Sequence, residues 1–99
     1  MTERPEYPLK IMLNGRKLSR LVIDQHYRVN HDESMNDQII LDLVKTLDGK
    51  KIPPESVQGE FEYFTVEPVF HLEMAYRVIL VLCLTDDYLG VVNAFRVNT

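Results

Sequence analysis

The sequence has few of the residues from which several kinds of site are built. Its single cysteine, Cys83, cannot form an internal disulfide, which is typical of a protein in a reducing cytosol. Its four glycines stand apart from one another and form no phosphate-binding loop, which argues against nucleotide-driven chemistry. The longest apolar run, from Val78 to Leu84, is seven residues, whereas about 20 are needed to cross a bilayer. We expect no secretion, because the first residues do not show a charged segment followed by an apolar run. We therefore expect a cytoplasmic protein without membrane contacts.

A basic excess is also missing. Fifteen acidic residues against eleven basic ones give a net charge of −4, which argues against non-specific binding of nucleic acid. The charge is unevenly distributed: residues 1–31 carry +3, residues 32–74 carry −7 and residues 75–99 are balanced. At 99 residues we expect one domain over 1–99, with a loose N-terminus over 1–6.

Two short apolar runs near the N-terminus predict a hairpin. Alternation from Pro8 to Leu13 and a second run from Lys17 to Ile23 flank Asn14-Gly15, a pair that tolerates the positive φ angles of a type I′ turn.

One main helix is predicted from Ser34 to about position 48. Ser34 and Asp37 resemble a capping box, and an apolar stripe runs through Ile40, Leu43, Val44 and Leu47. Asp48-Gly49 supplies the expected left-handed stop.

Strand patterns follow the helix. A strand is predicted from Glu60 to Val66, in which Phe61, Tyr63 and Thr65 alternate with Glu60, Glu62 and Phe64, and Pro68 marks an edge or a bend. Two further strands run over Tyr76–Leu84 and Leu89–Val97. The predicted fold is α+β, with an N-terminal hairpin, one main helix and a three-strand antiparallel meander packed on that helix. A core of this size provides only marginal stability. A homodimer formed through an exposed edge or an apolar face is therefore one expected arrangement.

The last hairpin predicts a pair of arginines. A turn centred on Asp86 and Asp87 places Arg77 directly opposite Arg96, an unfavourable pair unless an anion lies between them. Two guanidiniums fit a phosphate or a carboxylate. The other interpretation is that Glu67, Glu73 or the C-terminal carboxylate neutralises them.

Two histidines precede the predicted helix. His31 stands just before the cap, where the helix N-terminus favours a neutral imidazole that can act as a base. His26 lies earlier in the same segment, next to Tyr27 and Arg28. The functional interpretation is a histidine loop that meets the arginine pair, with Arg28 and Asn93 also on the anion; the alternative is two solvated histidines. We predict no metal site and no cofactor, because the ligand spacing of structural zinc is missing.

The order of these elements resembles a family of small nucleases. His31 before the helix, Tyr76-Arg77-Val78-Ile79 and Asn93-Ala94-Phe95-Arg96 resemble the RelE-like and barnase-like ribonucleases, which include bacterial toxins, over about residues 16–98. The resemblance implies metal-free RNA cleavage, in which His31 and His26 would transfer protons while Arg77 and Arg96 would stabilise the phosphate.

The acidic charge supports a different class of function. RelE-like toxins are usually strongly basic, whereas the middle of this chain is strongly acidic. A non-catalytic interaction module that binds a basic protein, as an antitoxin or immunity protein does, is the alternative. A homodimeric protein that binds an anion is a second form of this non-catalytic alternative. RNA or a protein is the expected partner.

Overall fold

The computed structural model describes residues 5–27 and 35–97, with the exception of the His26 side chain. Within this part, one helix and six strands form in the order β1 (Glu6–Leu13), β2 (Arg16–Ile23), α1 (Asp37–Lys45), β3 (Ser56–Gln58), β4 (Phe61–His71), β5 (Met74–Cys83) and β6 (Tyr88–Val97). A single turn of 3-10 helix, Gln25–Tyr27, follows β2.

The N-terminal hairpin is confirmed. Leu13 pairs with Arg16, so Asn14 and Gly15 alone form the turn, with φ angles of 54° and 77°. The Asn14 side chain also exchanges two hydrogen bonds with the backbone of Ile52, at 2.6 and 2.9 Å. These bonds attach the segment after the helix to the hairpin.

Helix α1 is shorter than predicted and has a different cap. Asn36 is the cap, and its side-chain oxygen accepts the N–H of Ile39 at 2.8 Å. The predicted cap, Ser34, lies outside the described residues. The apolar stripe is confirmed, because Ile40, Leu43, Val44 and Leu47 are all buried. The stop signal is confirmed as well, since Gly49 has a φ of 81°.

The predicted α+β class is wrong, because the hairpin and the meander belong to one curled, mixed sheet that dominates the molecule. Its strand order is β1-β2-β6-β5-β4-β3. Strand β2 pairs in parallel with β6, from Arg20 opposite Tyr88 to Ile23 opposite Val91. Local patterns do not reveal a parallel pair between strands so distant in sequence, and the three-residue β3 carries no alternation to detect.

Both edges of the sheet carry features that oppose the addition of another strand. In β1, the register shifts between Pro8 and Ile11, and Met12 is bonded to Asp48 and Gly49. At the other edge, β3 covers only Phe61–Tyr63 of β4, and the uncovered part of β4 has the predicted bend at Pro68, within a register shift between Val66 and Val69. Proline has no N–H to donate, and bulges disturb pairing, so both edges resist strand addition.

The two faces of the sheet have different surroundings. The inner face packs with α1 around fully buried side chains that include Phe64, Leu80, Leu82 and Leu89. The outer face, which points away from α1, is covered by no element of the described chain. Its apolar side chains are half-buried: Val22, Phe61, Tyr63, Ile79, Val81, Tyr88, Val92 and Phe95. The molecule thus places its core on one side of the sheet only.

Candidate functional site

The outer face carries a groove that is lined by both apolar and charged side chains. Its volume is about 650 Å³, within the range of roughly 300–1,000 Å³ typical of ligand sites. Five strands, β1, β2, β4, β5 and β6, contribute to it, with aromatic rings from β4 and β6 and charged groups near the β5–β6 turn. It is lined by Glu6, Arg20, Val22, Asp24, Phe61, Tyr63, Val81, Asp86, Tyr88, Gly90, Val91 and Val92.

Gly90 forms the floor of the groove. A Cβ at this position would lie 2.6 Å from Cγ1 of Val81, its partner on β5. The side chain of Tyr88 also lies close, since its Cε2 would be 3.7 Å from that Cβ. Glycine therefore permits the side chains of Val81 and Tyr88 to pack directly against the backbone.

Arg20 is the centre of a charged cluster at one end of the groove. Its guanidinium contacts Glu6 at 3.0 Å, Asp86 at 2.9 Å and Asp87 at 3.3 Å. Its Cζ also lies 5.5 Å from the centre of the Tyr88 ring, a cation–π distance. The carboxylates come from β1 and from the β5–β6 turn, so Arg20 joins three parts of the chain across the sheet.

Carboxylates outnumber guanidiniums at this end of the sheet. Arg16 donates to the carbonyl oxygens of Leu84 and Asp86, at 3.1 and 3.2 Å, and Glu60 accepts a hydrogen bond from Thr85 at 3.3 Å. Glu6, Glu60, Asp86 and Asp87 therefore surround Arg16 and Arg20, which gives this group a net charge of −2.

Three pKa values of the cluster are shifted. The hydrogen bond with Asp86 raises the pKa of Arg20, although burial opposes this shift. The hydroxyl of Ser19, which donates to Asp87, lowers the pKa of that carboxyl, and Asp86 and Arg20 act in the same direction. Burial raises the pKa of Tyr88, with the adjacent Cys83 adding to the effect. Asp87 therefore stays ionised in moderately acidic solution, and Tyr88 stays neutral.

The predicted opposition of Arg77 and Arg96 is wrong. Arg77 lies opposite Phe95, and Arg96 lies opposite Tyr76. The turn is centred one residue earlier than predicted, since Leu82 pairs with Leu89, and Val92 is then an extra residue on β6 where the register shifts. Because the resulting register differs by one residue, the two arginines project from opposite faces of the sheet.

Arg77 is neutralised within the chain. Its guanidinium lies 2.6 Å from Glu67, and its Cζ lies 5.6 Å from the centre of the Phe95 ring. Of the alternatives left open by the sequence, Glu67 is the counterion. Arg96 is exposed at the opposite face, so the two guanidiniums do not form a common anion clamp.

The other predicted site residues are not brought together by the described structure. The side-chain oxygen of Asn93 accepts the N–H of Ala94 at 2.9 Å. His26 belongs to the 3-10 turn, but its side chain lies outside the described part, as do Arg28 and His31. The catalytic roles of His26 and His31 stay predictions.

The remaining histidine has a contact on the inner face. His71 Nε2 lies 3.1 Å from Oδ2 of Asp42 on α1, and its ring meets Tyr76 edge-on at 6.4 Å. This contact attaches the end of the β4–β5 hairpin to the helix. Within residues 5–27 and 35–97, no three histidine, cysteine or acidic side chains are arranged to hold a metal ion.

Part of the groove could be recognised from sequence patterns. The alternation of Phe61 and Tyr63 with Phe64 indicates two faces, and Phe64 is indeed in the core while the other two rings line the groove. The meeting of Arg20 with Asp86 was not foreseeable, because it depends on the parallel pairing of β2 with β6.

Comparisons with known proteins give no match: no family model, no curated protein and no solved structure shows significant similarity to the chain. Among the described residues, no helix has the length and apolar character needed to cross a membrane.

Proposed function

We propose that this chain is a non-catalytic protein-interaction module that binds a positively charged, partly apolar segment of another protein on its outer face. The observation that carries the proposal is the groove of aromatic and aliphatic side chains beside a surplus of carboxylates, on a face that no described element covers.

The chemistry of the groove favours binding over catalysis. Among the described residues that line it, none is a histidine, a cysteine or a lysine. General acid–base catalysis needs a titratable group held near the reacting proton, most often a histidine. The lining instead offers apolar area for desolvation and carboxylates for the selection of a cationic partner.

The sheet edges also direct a partner to the outer face. The bulges and prolines in β1 and β4 oppose the strand addition by which many sheet proteins bind peptides. A partner that uses side-chain contacts on the outer face avoids these obstacles.

The test is an NMR titration of the ¹⁵N-labelled chain with two synthetic peptides of alternating sequence. One peptide alternates valine with lysine, and the other alternates valine with glutamate. We expect the lysine peptide alone to shift the amides of Val22, Tyr63, Val81 and Gly90 at millimolar concentrations. Shifts confined to the α1 face, equal shifts with both peptides, or none would contradict the proposal.

Matched charge variants sharpen this titration. Asp86→Asn removes a carboxylate from the groove, whereas Glu73→Gln removes one from the exposed turn between β4 and β5. Asp86→Asn should weaken lysine-peptide binding about threefold to tenfold, while Glu73→Gln should change it less than twofold. Equal effects would indicate attraction to net charge rather than to the groove.

A further inference from the structure

The outer face carries the same arrangement of three groups twice. In each case an arginine lies on an aromatic ring while a carboxylate binds its guanidinium: Arg20 on Tyr88 with Glu6 and Asp86, and Arg77 on Phe95 with Glu67. The distances from Cζ to the ring centre, 5.5 and 5.6 Å, are nearly equal. The outer face therefore binds two guanidiniums in the same way, each between an aromatic ring and a carboxylate.

A third set of rings on this face has no such arginine. Phe61 and Tyr63 are half-buried in the wall of the groove, and no described cation or ring stacks on either of them. Both rings are close enough to the groove to be reached by a side chain that enters over Gly90.

Carboxylate oxygens for a second guanidinium are present in the same groove. Arg20 uses Oε1 of Glu6 and Oδ1 of Asp86. Within the described chain, Oε2 of Glu6 and Oδ2 of Asp86 accept no hydrogen bond. The groove thus contains aromatic rings without a stacked cation and carboxylate oxygens without a hydrogen-bond donor.

From this we infer that the segment bound by the outer face inserts an arginine into the groove, where its guanidinium stacks on Tyr63 and Phe61 and binds Asp86. This inference rests on the proposed function and specifies the partner's decisive residue. Arginine is favoured over lysine because its planar guanidinium stacks on a ring while its N–H groups bind carboxylates.

The test compares three peptides that differ at one position. Each has an arginine, a lysine or a citrulline in the centre of the same valine- and lysine-containing sequence; citrulline keeps the shape of arginine without the charge. By NMR titration, we expect the arginine peptide to bind at least about fivefold more tightly than the citrulline peptide, with the lysine peptide between them. Equal dissociation constants for the arginine and citrulline peptides would overturn the inference.

Variants of Tyr63 test whether its ring provides the preference for arginine over citrulline. Tyr63→Leu removes the ring and should reduce the preference for arginine over citrulline to less than twofold, whereas Tyr63→Phe keeps the ring and should retain it. A preference that survives Tyr63→Leu would also overturn the inference. The amide spectrum of each variant shows whether its fold is intact.

The two proposals fail differently. If all three peptides shift the groove amides with equal affinity, the groove binds basic segments without selecting arginine, and only the inference fails. If no peptide shifts these amides at millimolar concentrations, both proposals fail.

Discussion

Asp37 connects the two ends of the segment between β2 and α1. Its carboxylate accepts hydrogen bonds from the hydroxyls of Tyr7 and Tyr27, each at 2.5 Å, and from Gln25 at 3.2 Å. Tyr27 is fully buried, so the loss of this acceptor removes a hydrogen bond to a charged group from a buried hydroxyl.

We therefore expect Asp37→Ala to lower the free energy of unfolding by about 2 kcal/mol, measured by urea denaturation. Asp42→Ala, in the same helix, removes a carboxylate that binds His71 and Gln38 at the surface, and it should cost less. A larger loss for Asp42→Ala would show that the tyrosine contacts contribute little.

Asp87 makes folding sensitive to acid. Because its pKa is lower in the folded chain than its ordinary value of 3.8, the unfolded chain takes up this proton first as the pH falls. The stability that Asp87 contributes is complete above the ordinary pKa and is lost as the pH falls through the lowered one.

Asp87→Asn should therefore melt at a lower temperature than the wild type at about pH 6, and the difference should shrink towards about pH 2. Ser19→Ala removes the hydroxyl that lowers this pKa and should show the same trend in weaker form. A difference in melting temperature that is independent of pH would contradict this role of Asp87.

Gly90 is needed for the close approach of β5 and β6. In Gly90→Ala, the new methyl group would overlap Cγ1 of Val81, and a valine in a strand has few alternative rotamers. We expect the free energy of unfolding to fall by about 1–3 kcal/mol, measured by urea denaturation. The double variant Gly90→Ala, Val81→Ala should recover part of it; strict additivity of the two losses would argue against this contact.

At the level of elements, the two tight turns of the sheet differ in their residues. Asn14 and Gly15 are residue types that readily adopt positive φ angles. Leu72 and Glu73, in the turn between β4 and β5, are not, yet their φ angles are 49° and 68°. Leu72 is 82% exposed, so little packing offsets the free-energy cost of its positive φ angle.

Replacing Leu72-Glu73 by Asn-Gly should raise the free energy of unfolding by about 1–2 kcal/mol, because both positions then tolerate the left-handed conformation. Thermal and urea denaturation measure the gain. The reversed pair, Gly-Asn, serves as the control for composition. An unchanged stability would mean that the native turn carries no strain.

The same two turns show what the sequence could and could not predict. Asn14-Gly15 is a strong local signal, and it located both β1 and β2. Leu72-Glu73 gives no turn signal, so the strand that ends at His71 was predicted to end near Val66. The apolar stripe of the helix was predictable, since its spacing is local. The cap was not, because Ser34 and Asn36 are both residue types that commonly cap a helix.

The candidate site depends on longer-range pairing. One extra residue in β6, Val92, separates Arg77 from Arg96 and moves them to opposite faces. The groove requires β2 to lie beside β6, although more than 60 residues separate Arg20 from Tyr88. Neither a bulge nor a parallel pair between distant strands leaves a periodic pattern in the sequence.

At the scale of the whole molecule, the β2–β6 pairing joins the N-terminal hairpin to the rest of the sheet. Backbone bonds from Ser19 to Asp87 and from Asp24 to Val91, both 2.9 Å, extend this connection at either end. Leu21 and Leu80 are both fully buried and belong to one continuous core. The hairpin has no separate core of its own, so it should not open independently.

Native-state hydrogen exchange tests this cooperativity. We expect the amides of Leu21 in β2 and Leu80 in β5 to exchange with the same free energy, equal to that of global unfolding, because breaking the parallel pair exposes the core that both strands share. Met74, beside the strained turn, should exchange with a lower free energy and serve as the reference for local opening. If Leu21 instead exchanged as easily as Met74 while Leu80 stayed protected, the hairpin would be a separate unit. The end of the groove that contains Glu6 and Arg20 would then open independently of its floor.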